Sequence, residues 1–398
     1  MAHGETGKIK NPGPFVFHAS VKSTLLVLMI VGVATFGGGL MADSKRAWAS
    51  LVQNHFFFMS LALGGLFIAA LNYITSAMWS APIKRIYESF TSYLPFALLT
   101  FLAVAVGIHH IYEWSHPEFV KGDLVLEGKA SYLSIGFFVI RNVVALCIWI
   151  FFAMKMLKNS VAQDANGDHR LTLKNKAMAP VFLIVFAITY TMASYDQMMS
   201  LDPHWFSTIF GVYCFSGLFY STLALTAVMA IYLRRNGVLQ GIVNDNHLHD
   251  LGKFMYAFSV FWAYIGFSQF MLIWYANMPE ETGYFLHRLH GGWALMTYLL
   301  PLKFLVPFFL LLQRDSKRSE SRLLGVGLFM LAAHWFDLMW VVQPEFFKEG
   351  PQFGWIEIGT TIGFIGLFGT CVVRFMGKHN IVAIGDPRLP EAVFHHHQ

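Results

Sequence analysis

Long apolar stretches separated by short polar connections run through the whole chain. A helix needs about 20 mostly apolar residues to cross the hydrocarbon core of a bilayer, and ten stretches of the sequence qualify. They cover residues 22–42, 56–79, 92–112, 132–155, 178–197, 207–233, 252–277, 292–313, 322–342 and 354–375. The pattern therefore predicts an all-α integral membrane protein with ten transmembrane helices.

The same pattern predicts one membrane domain, residues 22–375, between two cytoplasmic tails, residues 1–21 and 376–398. The longest predicted connection, residues 159–178, is a charged loop, so no soluble domain is expected. Spans two to five and six to nine would form two four-helix bundles, flanked by the first and tenth helices.

Lys and Arg residues fall unevenly on the two sides of the predicted spans. Of the 28 in the sequence, six lie in loops opposite the termini, and Arg141 and Lys303 lie inside spans; the other twenty share the side of the termini. Basic residues of short loops stay on the cytoplasmic side. Both termini are therefore predicted to be cytoplasmic, which an even number of spans requires.

The composition supports a membrane protein and narrows its chemistry. The chain is 56% hydrophobic and only 13% charged, which is far from an ordinary soluble domain. Most of the Lys and Arg residues behind the net charge of +5 lie in short loops, where they set the orientation of the helices in the membrane. The positive charge therefore predicts no nucleic acid partner. Cys147, Cys214 and Cys371 each lie alone in an apolar run, a spacing that fits neither a metal cluster nor covalent haem.

Ionisable side chains inside the predicted spans are the main functional candidates, because each costs about 2.5 to 3.5 kcal/mol in hydrocarbon. Lys303 lies between Pro301 and Pro307, where each proline frees a backbone carbonyl. Structural ion pairs and hydrogen bonds between helices are the alternative interpretation. The candidates for a proton path are Arg141, Asp196, Lys303, His334 and Asp337.

A second set of polar residues lies near the predicted outer ends of the spans. Histidine titrates near neutral pH, which suits proton transfer beside a quinol. Interfacial hydrogen bonds and helix-capping turns are the alternative for these positions. The candidates for quinone contact are His109, His110, His204 and Gln269.

Haem is a further alternative, since two facing imidazoles from His109, His290 and His334 could ligate one iron. No predicted span holds paired histidines with the spacing of two stacked haems. The sequence therefore predicts no metal site in this chain.

Three outer-face passages carry the strongest motifs: SLDPHWFST at residues 200–208, WYANMPEET at 274–282 and WFDLMW at 335–340. In these passages and in its ten-span layout, the chain resembles the polysulfide-reductase membrane-subunit family, also called NrfD-like. Within that family it is most similar to the shorter (F-type) membrane subunit of bacterial Alternative Complex III, a quinol:cytochrome c oxidoreductase. The resemblance covers nearly the whole chain.

The resemblance implies a multi-pass subunit of a respiratory complex in the bacterial inner membrane. Its partners would be a second, larger NrfD-like membrane subunit with the main quinol site, an iron-sulfur subunit and c-type cytochrome subunits. Those partners would hold the haem c and the iron-sulfur clusters, and this chain would support proton translocation and quinone contact without redox centres. A secondary transporter and a purely structural membrane anchor are the rival hypotheses.

Overall fold

The computed structural model describes residues 11–394. Most of these residues are α-helical, and none of them lies in a β-strand. The outermost parts of the two predicted tails, residues 1–10 and 395–398, lie outside the described residues.

The first half of the described chain contains nine α-helices, which include three short ones between the third and fourth spans. They are α1 (Ala19–Ala42), α2 (Ser44–Ile74), α3 (Lys84–Phe90), α4 (Leu94–Val106), α5 (Ile108–Ile111), α6 (Pro117–Val120), α7 (Leu124–Lys129), α8 (Ile135–Asn166) and α9 (His169–Gln197).

The second half contains nine more, which include the connecting helices α12 and α15 and a short helix near the C-terminus. They are α10 (Phe210–Arg235), α11 (Asp245–Ala276), α12 (Pro279–Leu289), α13 (Ala294–Leu299), α14 (Leu302–Leu310), α15 (Arg314–Arg318), α16 (Glu320–Phe346), α17 (Trp355–Met376) and α18 (Leu389–Val393).

Ten helical segments in the described part are long and apolar enough to cross a bilayer. This number confirms the ten spans predicted from the sequence. Eight segments are built on single long helices, whereas the third joins α3 to α4 and the eighth joins α13 to α14. A short 3₁₀ helix interrupts the third segment, and two turn residues interrupt the eighth.

The predicted charged loop at residues 159–178 is wrong, because α8 and α9 extend through it. Only Gly167 and Asp168 separate the two helices. Gly167 has a φ of +61°, which a residue without Cβ adopts readily, and the Asp168 side chain accepts from the Arg170 N–H at the start of α9. The charged residues simply continue both helices beyond the apolar length that a bilayer requires.

The predicted start of the second span at residue 56 is also too late. Helix α2 begins at Ser44, capped by Asp43, and its early polar residues Gln53, Asn54 and His55 are fully buried between helices. A hydropathy pattern scores these residues as unsuited to lipid, although protein rather than lipid surrounds them. The third segment is shifted in the same direction, so His109 and His110 fall on α5 rather than at the end of a long span.

Helices α2 and α10 form the interior of the helix arrangement. Helix α2 contacts α3, α4, α9, α10, α16 and α17, and α10 also contacts α9, α11 and α16. A Cβ on Gly64 of α2 would come within 2.1 Å of Thr222 Oγ1 on α10, so these two helices approach closely only because Gly64 has no side chain. Small residues play this part between helices in lipid.

The two ends of the helix arrangement are distinguished here as the terminal face and the far face. At the terminal face the start of α1 meets the end of α17, where the Phe15 N–H donates to the Met376 carbonyl at 3.0 Å. The C-terminal segment covers this face, and the Asp386 carboxylate accepts from Lys84 and Arg388. Although burial raises the pKa of Asp386, these two cations hold it well below its usual range. The far face carries the connection between α4 and α8, and helix α12.

Candidate functional site

Three ionisable side chains meet between α14 and α16, and they form the lysine cluster. Lys303 Nζ donates to Asp337 Oδ2 at 2.6 Å and lies 3.0 Å from His334 Nδ1. His334 and Asp337 are three residues apart on α16, so their side chains share one face of that helix. All three residues are buried. A lysine, a histidine and an aspartate thus lie within hydrogen-bond distance of one another in one buried place.

The prolines around Lys303 shape the local backbone of this site. Pro307 has no N–H to donate to the Lys303 carbonyl, which lies four residues earlier. That carbonyl accepts instead from the Tyr220 hydroxyl of α10, at 2.9 Å. Pro301 stands between α13 and α14 and directly precedes the turn that carries Lys303. The break in the helix therefore directs the Lys303 amine toward α16 and the Lys303 carbonyl toward α10.

Aromatic side chains from α10 and α11 complete the cluster. The Tyr213 hydroxyl donates to Asp337 Oδ1, and Trp262 Nε1 donates to Asp337 Oδ2 at 3.2 Å. Lys303 Nζ also lies 4.2 Å from the centre of the Trp262 ring, a distance at which a cation is attracted to the π face. The carboxylate thus has three donors, and aromatic rings separate it from lipid.

A second ion pair lies at the far end of α8 and α9, and its residues Arg141, Asn142 and Asp196 form the arginine cluster. Arg141 binds Asp196 through two hydrogen bonds, of 3.1 Å from Nε and 2.9 Å from Nη2. Asn142 Nδ2 donates to the same carboxylate at 3.1 Å. The guanidinium also lies 3.7 Å from the centre of the Tyr132 ring. The counter-ion that a deep arginine needs is therefore Asp196.

The five predicted proton-path residues thus occupy two places in the fold. Lys303, His334 and Asp337 belong to the lysine cluster between α14 and α16. Arg141 and Asp196 belong to the arginine cluster between α8 and α9. The sequence identified all five as needing partners, but it could not show how they would be grouped.

A cavity of about 450 Å³ adjoins the lysine cluster toward the far face. Its walls are largely aromatic and aliphatic, and Tyr213 and Trp262 belong both to the wall and to the cluster. Gln269 is buried in the wall, and its Oε1 has no hydrogen-bond partner among the described residues. Apolar pockets with a few placed polar groups are typical of ligand sites. Other wall residues are Phe267, Phe270, Tyr284, Phe285, Leu300, Phe304 and Trp340.

The three predicted quinone-contact histidines lie elsewhere, in far-face connections. His109 Nδ1 is 3.1 Å from Ser115 Oγ on the connection after α5. His110 stacks on Trp48 with ring centres 5.7 Å apart. His204 Nε2 is 2.6 Å from Asp123 Oδ2, and this hydrogen bond lowers the pKa of Asp123. Of the four predicted contacts, Gln269 alone lines the cavity.

The sequence did not single out the two aromatic donors, Tyr213 and Trp262, because aromatic residues are common in membrane helices. It also assigned no role to Arg288. Arg288 is buried, donates to Glu345 at 2.7 Å and lies 3.4 Å from the centre of the ring of Tyr284, which lines the cavity. The one signal in the sequence for Arg288 was that it is a basic residue in a loop opposite the termini, where Lys and Arg are few.

Among residues 11–394, no group of three or more His, Cys, Asp or Glu side chains is arranged to hold a metal ion. Neither a scan against protein-family models nor a search of curated proteins found a match for this chain. The family resemblance therefore stays a prediction from the sequence motifs.

Proposed function

We propose that this chain is a membrane subunit of a respiratory quinol-oxidising complex of the Alternative Complex III type, and that its lysine cluster takes part in proton translocation. The observation that carries the proposal is the buried contact of Lys303 with both Asp337 and His334. Each of these groups can hold or release a proton. A buried ion pair adds little net stability over apolar packing, so a role in proton transfer explains its presence better.

The geometry gives each member of the lysine cluster a distinct part. The amine of Lys303 lies within hydrogen-bond distance of two acceptors, Asp337 Oδ2 and His334 Nδ1, and a proton leaving the amine can reach either. The Tyr213 hydroxyl links the other carboxylate oxygen to the cavity wall. Arg141 does not deprotonate, so its part is to pair with the Asp196 side chain and hold it in place.

The cavity beside the lysine cluster supports quinone contact as part of the same role. It offers an aromatic-lined space, and the unpartnered Gln269 amide oxygen can accept a hydrogen bond from a hydroxyl group. Quinone contact is therefore proposed at Gln269 rather than at His109, His110 or His204. Electrons would leave the quinol at the second NrfD-like membrane subunit and would pass through the iron-sulfur subunit and the c-type cytochromes.

The helix contacts support the proposed pair of four-helix bundles. In the first bundle α2 contacts α3, α4 and α9, and α8 contacts α4 and α9; in the second α10 contacts α11 and α16, and α14 contacts both. Helices α1 and α17 contact each other and α2. With both termini in the cytoplasm, as the loop charges favour, the far face and its cavity would lie on the outer side of the bacterial inner membrane.

Purification through this subunit in a mild detergent tests the proposed complex. We expect haem c, an iron-sulfur protein and a second ten-span subunit to co-purify, as seen by absorption spectra and mass analysis. A colourless protein that purifies alone would contradict the proposal and favour a secondary transporter, for which the interrupted helix at Pro301 is the supporting feature.

The substitution Asp337→Asn separates proton transfer from a purely anchoring role. It keeps the size of the side chain but removes the charge that Lys303 binds. We expect the complex to assemble and its quinol turnover per assembled complex to fall. Normal turnover with reduced assembly would instead identify the lysine cluster as part of a structural anchor.

A further inference from the structure

The buried arginine of α12, Arg288, contacts the wall of the cavity without lining the cavity itself. Its guanidinium lies 3.4 Å from the centre of the Tyr284 ring and 5.2 Å from a ring centre of Trp340. Both rings belong to the wall. The Arg288 carbonyl accepts from the hydroxyl of a third wall residue, Thr297, which itself accepts from Trp340 Nε1 at 2.8 Å. Neither the lysine cluster nor the proposed quinone contact includes Arg288.

Most hydrogen bonds of the Arg288 guanidinium go to backbone carbonyls. Pro344 lies inside α16 and has no N–H to donate to the Trp340 carbonyl, four residues earlier. That carbonyl accepts instead from Arg288 Nε, at 3.2 Å. Two further hydrogen bonds reach other carbonyls of α12 and α16, and one reaches the Glu345 carboxylate. Arg288 therefore fixes the backbones of two helices in addition to pairing with an acid.

The Tyr284 ring is held from both of its faces. The Trp205 ring lies parallel to it within 12°, with ring centres 3.9 Å apart. The Arg288 guanidinium lies at a similar contact distance from the same ring. Two groups cannot share one face of a ring at contact distance, so they lie on opposite faces. Trp205, Tyr284, Arg288 and Trp340 are all buried, and together they form the aromatic stack.

The aromatic stack brings the three sequence motifs together. Trp205 belongs to the first motif, SLDPHWFST; helix α12 begins within the second, WYANMPEET; and Trp340 ends the third, WFDLMW. Trp205 does not line the cavity. Its contact with Tyr284 therefore gives the first motif an indirect part in shaping the wall.

We propose that Arg288 is a positioning residue of the cavity, which holds the Tyr284 and Trp340 rings in the arrangement that accepts a quinone ring. It acts through these two rings and does not touch the ligand. Its effect on the wall is independent of what the cavity binds, whereas its effect on quinone affinity rests on the proposed quinone contact. Arg288→Lys keeps the charge beside Glu345 but loses the planar, forked donor group.

Fluorine NMR of the full-length protein in lipid nanodiscs, labelled with 5-fluorotryptophan, tests the effect on the wall. The Trp205 signal, assigned by its loss in Trp205→Phe, carries the ring-current shift of the neighbouring Tyr284 ring. Tyr284→Leu shows the position of the signal without that shift. We expect Arg288→Lys to move the Trp205 signal toward its position in Tyr284→Leu. A Trp205 signal that stays in place in Arg288→Lys would overturn the proposal.

Arg46→Lys is the matched control. Arg46 also forms an ion pair with a buried carboxylate, that of Glu357, but it does not line the cavity. We expect this variant to leave the Trp205 signal unchanged, and an equal shift in both variants would overturn the proposal by showing a general loosening. If Arg288→Lys does not fold, Pro344→Ala is added to it, because alanine returns an N–H to the Trp340 carbonyl.

Titration of the same proteins with a decyl-substituted benzoquinone, followed by the Trp340 signal, tests the effect on binding. We expect Arg288→Lys to weaken binding about tenfold and Arg46→Lys to leave it unchanged. A shifted Trp205 signal with unchanged quinone affinity in Arg288→Lys would overturn the positioning role. An unmodified protein that binds no quinone would contradict the proposed quinone contact, while the Trp205 shift would still support Arg288 as the residue that positions the wall.

Discussion

The lysine cluster and the arginine cluster are both buried ion pairs between neighbouring helices, but they differ in what surrounds the cation. Lys303 contacts a carboxylate and an imidazole within a wall of aromatic rings. Arg141 divides its donors between Asp196 and the Tyr132 carbonyl. Lys303 can lose its proton to a neighbouring acceptor. Arg141 does not deprotonate, so it can only hold its neighbour in place.

The two ion pairs are therefore suited to different purposes. A pair that is to exchange protons needs acceptors beside the amine, and α16 provides two of them for Lys303 on α14. A pair that is to hold two helices together needs a rigid, two-pronged contact, which Arg141 and Asp196 form. Substitutions that exchange or remove these properties should therefore act unequally on the two clusters.

The largest effect is expected from Asp337→Leu. The substitution leaves Lys303 buried without its counter-ion, and breaking a buried pair in this way costs about 3 to 5 kcal/mol. Unfolding in detergent, followed by tryptophan fluorescence, measures the loss. Asp196→Leu is the matched variant and should cost less, because the Arg141 side chain is 7% exposed and donates to the Tyr132 carbonyl, whereas the Lys303 side chain is only 1% exposed. Equal losses of stability in the two variants would contradict the proposed difference between the clusters.

Exchanging the cations gives the next largest effect. Arg141→Lys loses the two-pronged contact with Asp196, and one hydrogen bond between charged groups contributes about 1.5 to 3 kcal/mol. We expect lower stability with proton translocation retained. Lys303→Arg keeps the charge but removes the proton that can leave, so it should abolish translocation. Stability and vesicle acidification are measured on the same preparations; retained translocation in Lys303→Arg would contradict the assignment.

The sequence predicted the number of spans and the residues that needed buried partners, but it could not predict their grouping. Apolar length alone indicates ten crossings, since lipid imposes that length on each helix. Polar residues such as Gln53 and His55 hid the true start of α2, because hydropathy cannot separate burial in protein from exposure to lipid. The pairing of Lys303 with Asp337 rather than with Asp196 depends on helix contacts that no local pattern contains.

A smaller effect is expected from Gly217→Ala. A Cβ at this position of α10 would lie 2.3 Å from His334 Cε1, so the ring must move away. Overpacking of this kind costs roughly 1 to 3 kcal/mol and should also weaken the contact with Lys303. Gly266→Ala is the control, since its Cβ would meet Tyr213 at an ordinary 3.5 Å. Thermal unfolding distinguishes the two, and an unchanged Gly217→Ala protein would show that His334 is free to shift.

The smallest effect is expected from Tyr220→Phe. The hydroxyl satisfies the Lys303 carbonyl that Pro307 leaves free, and the loss of one such hydrogen bond costs about 1 kcal/mol. Combining this change with Pro307→Ala should restore part of the loss, because a regained N–H can satisfy the carbonyl within the helix. Unfolding midpoints of the single and double variants measure the coupling; strictly additive losses would contradict it.

Proton translocation through the lysine cluster is tested most directly by counting protons released per electron when the purified complex oxidises quinol in sealed vesicles. Lys303→Met is compared with Lys317→Met, a buried lysine whose Nζ donates to the carbonyls of Leu311 and Leu312 instead of to an acid. We expect Lys303→Met to assemble and to release fewer protons per electron than the unmodified complex, while Lys317→Met releases the same number. An assembled Lys303→Met complex with an unchanged proton-to-electron ratio would contradict a role of the lysine cluster in proton translocation.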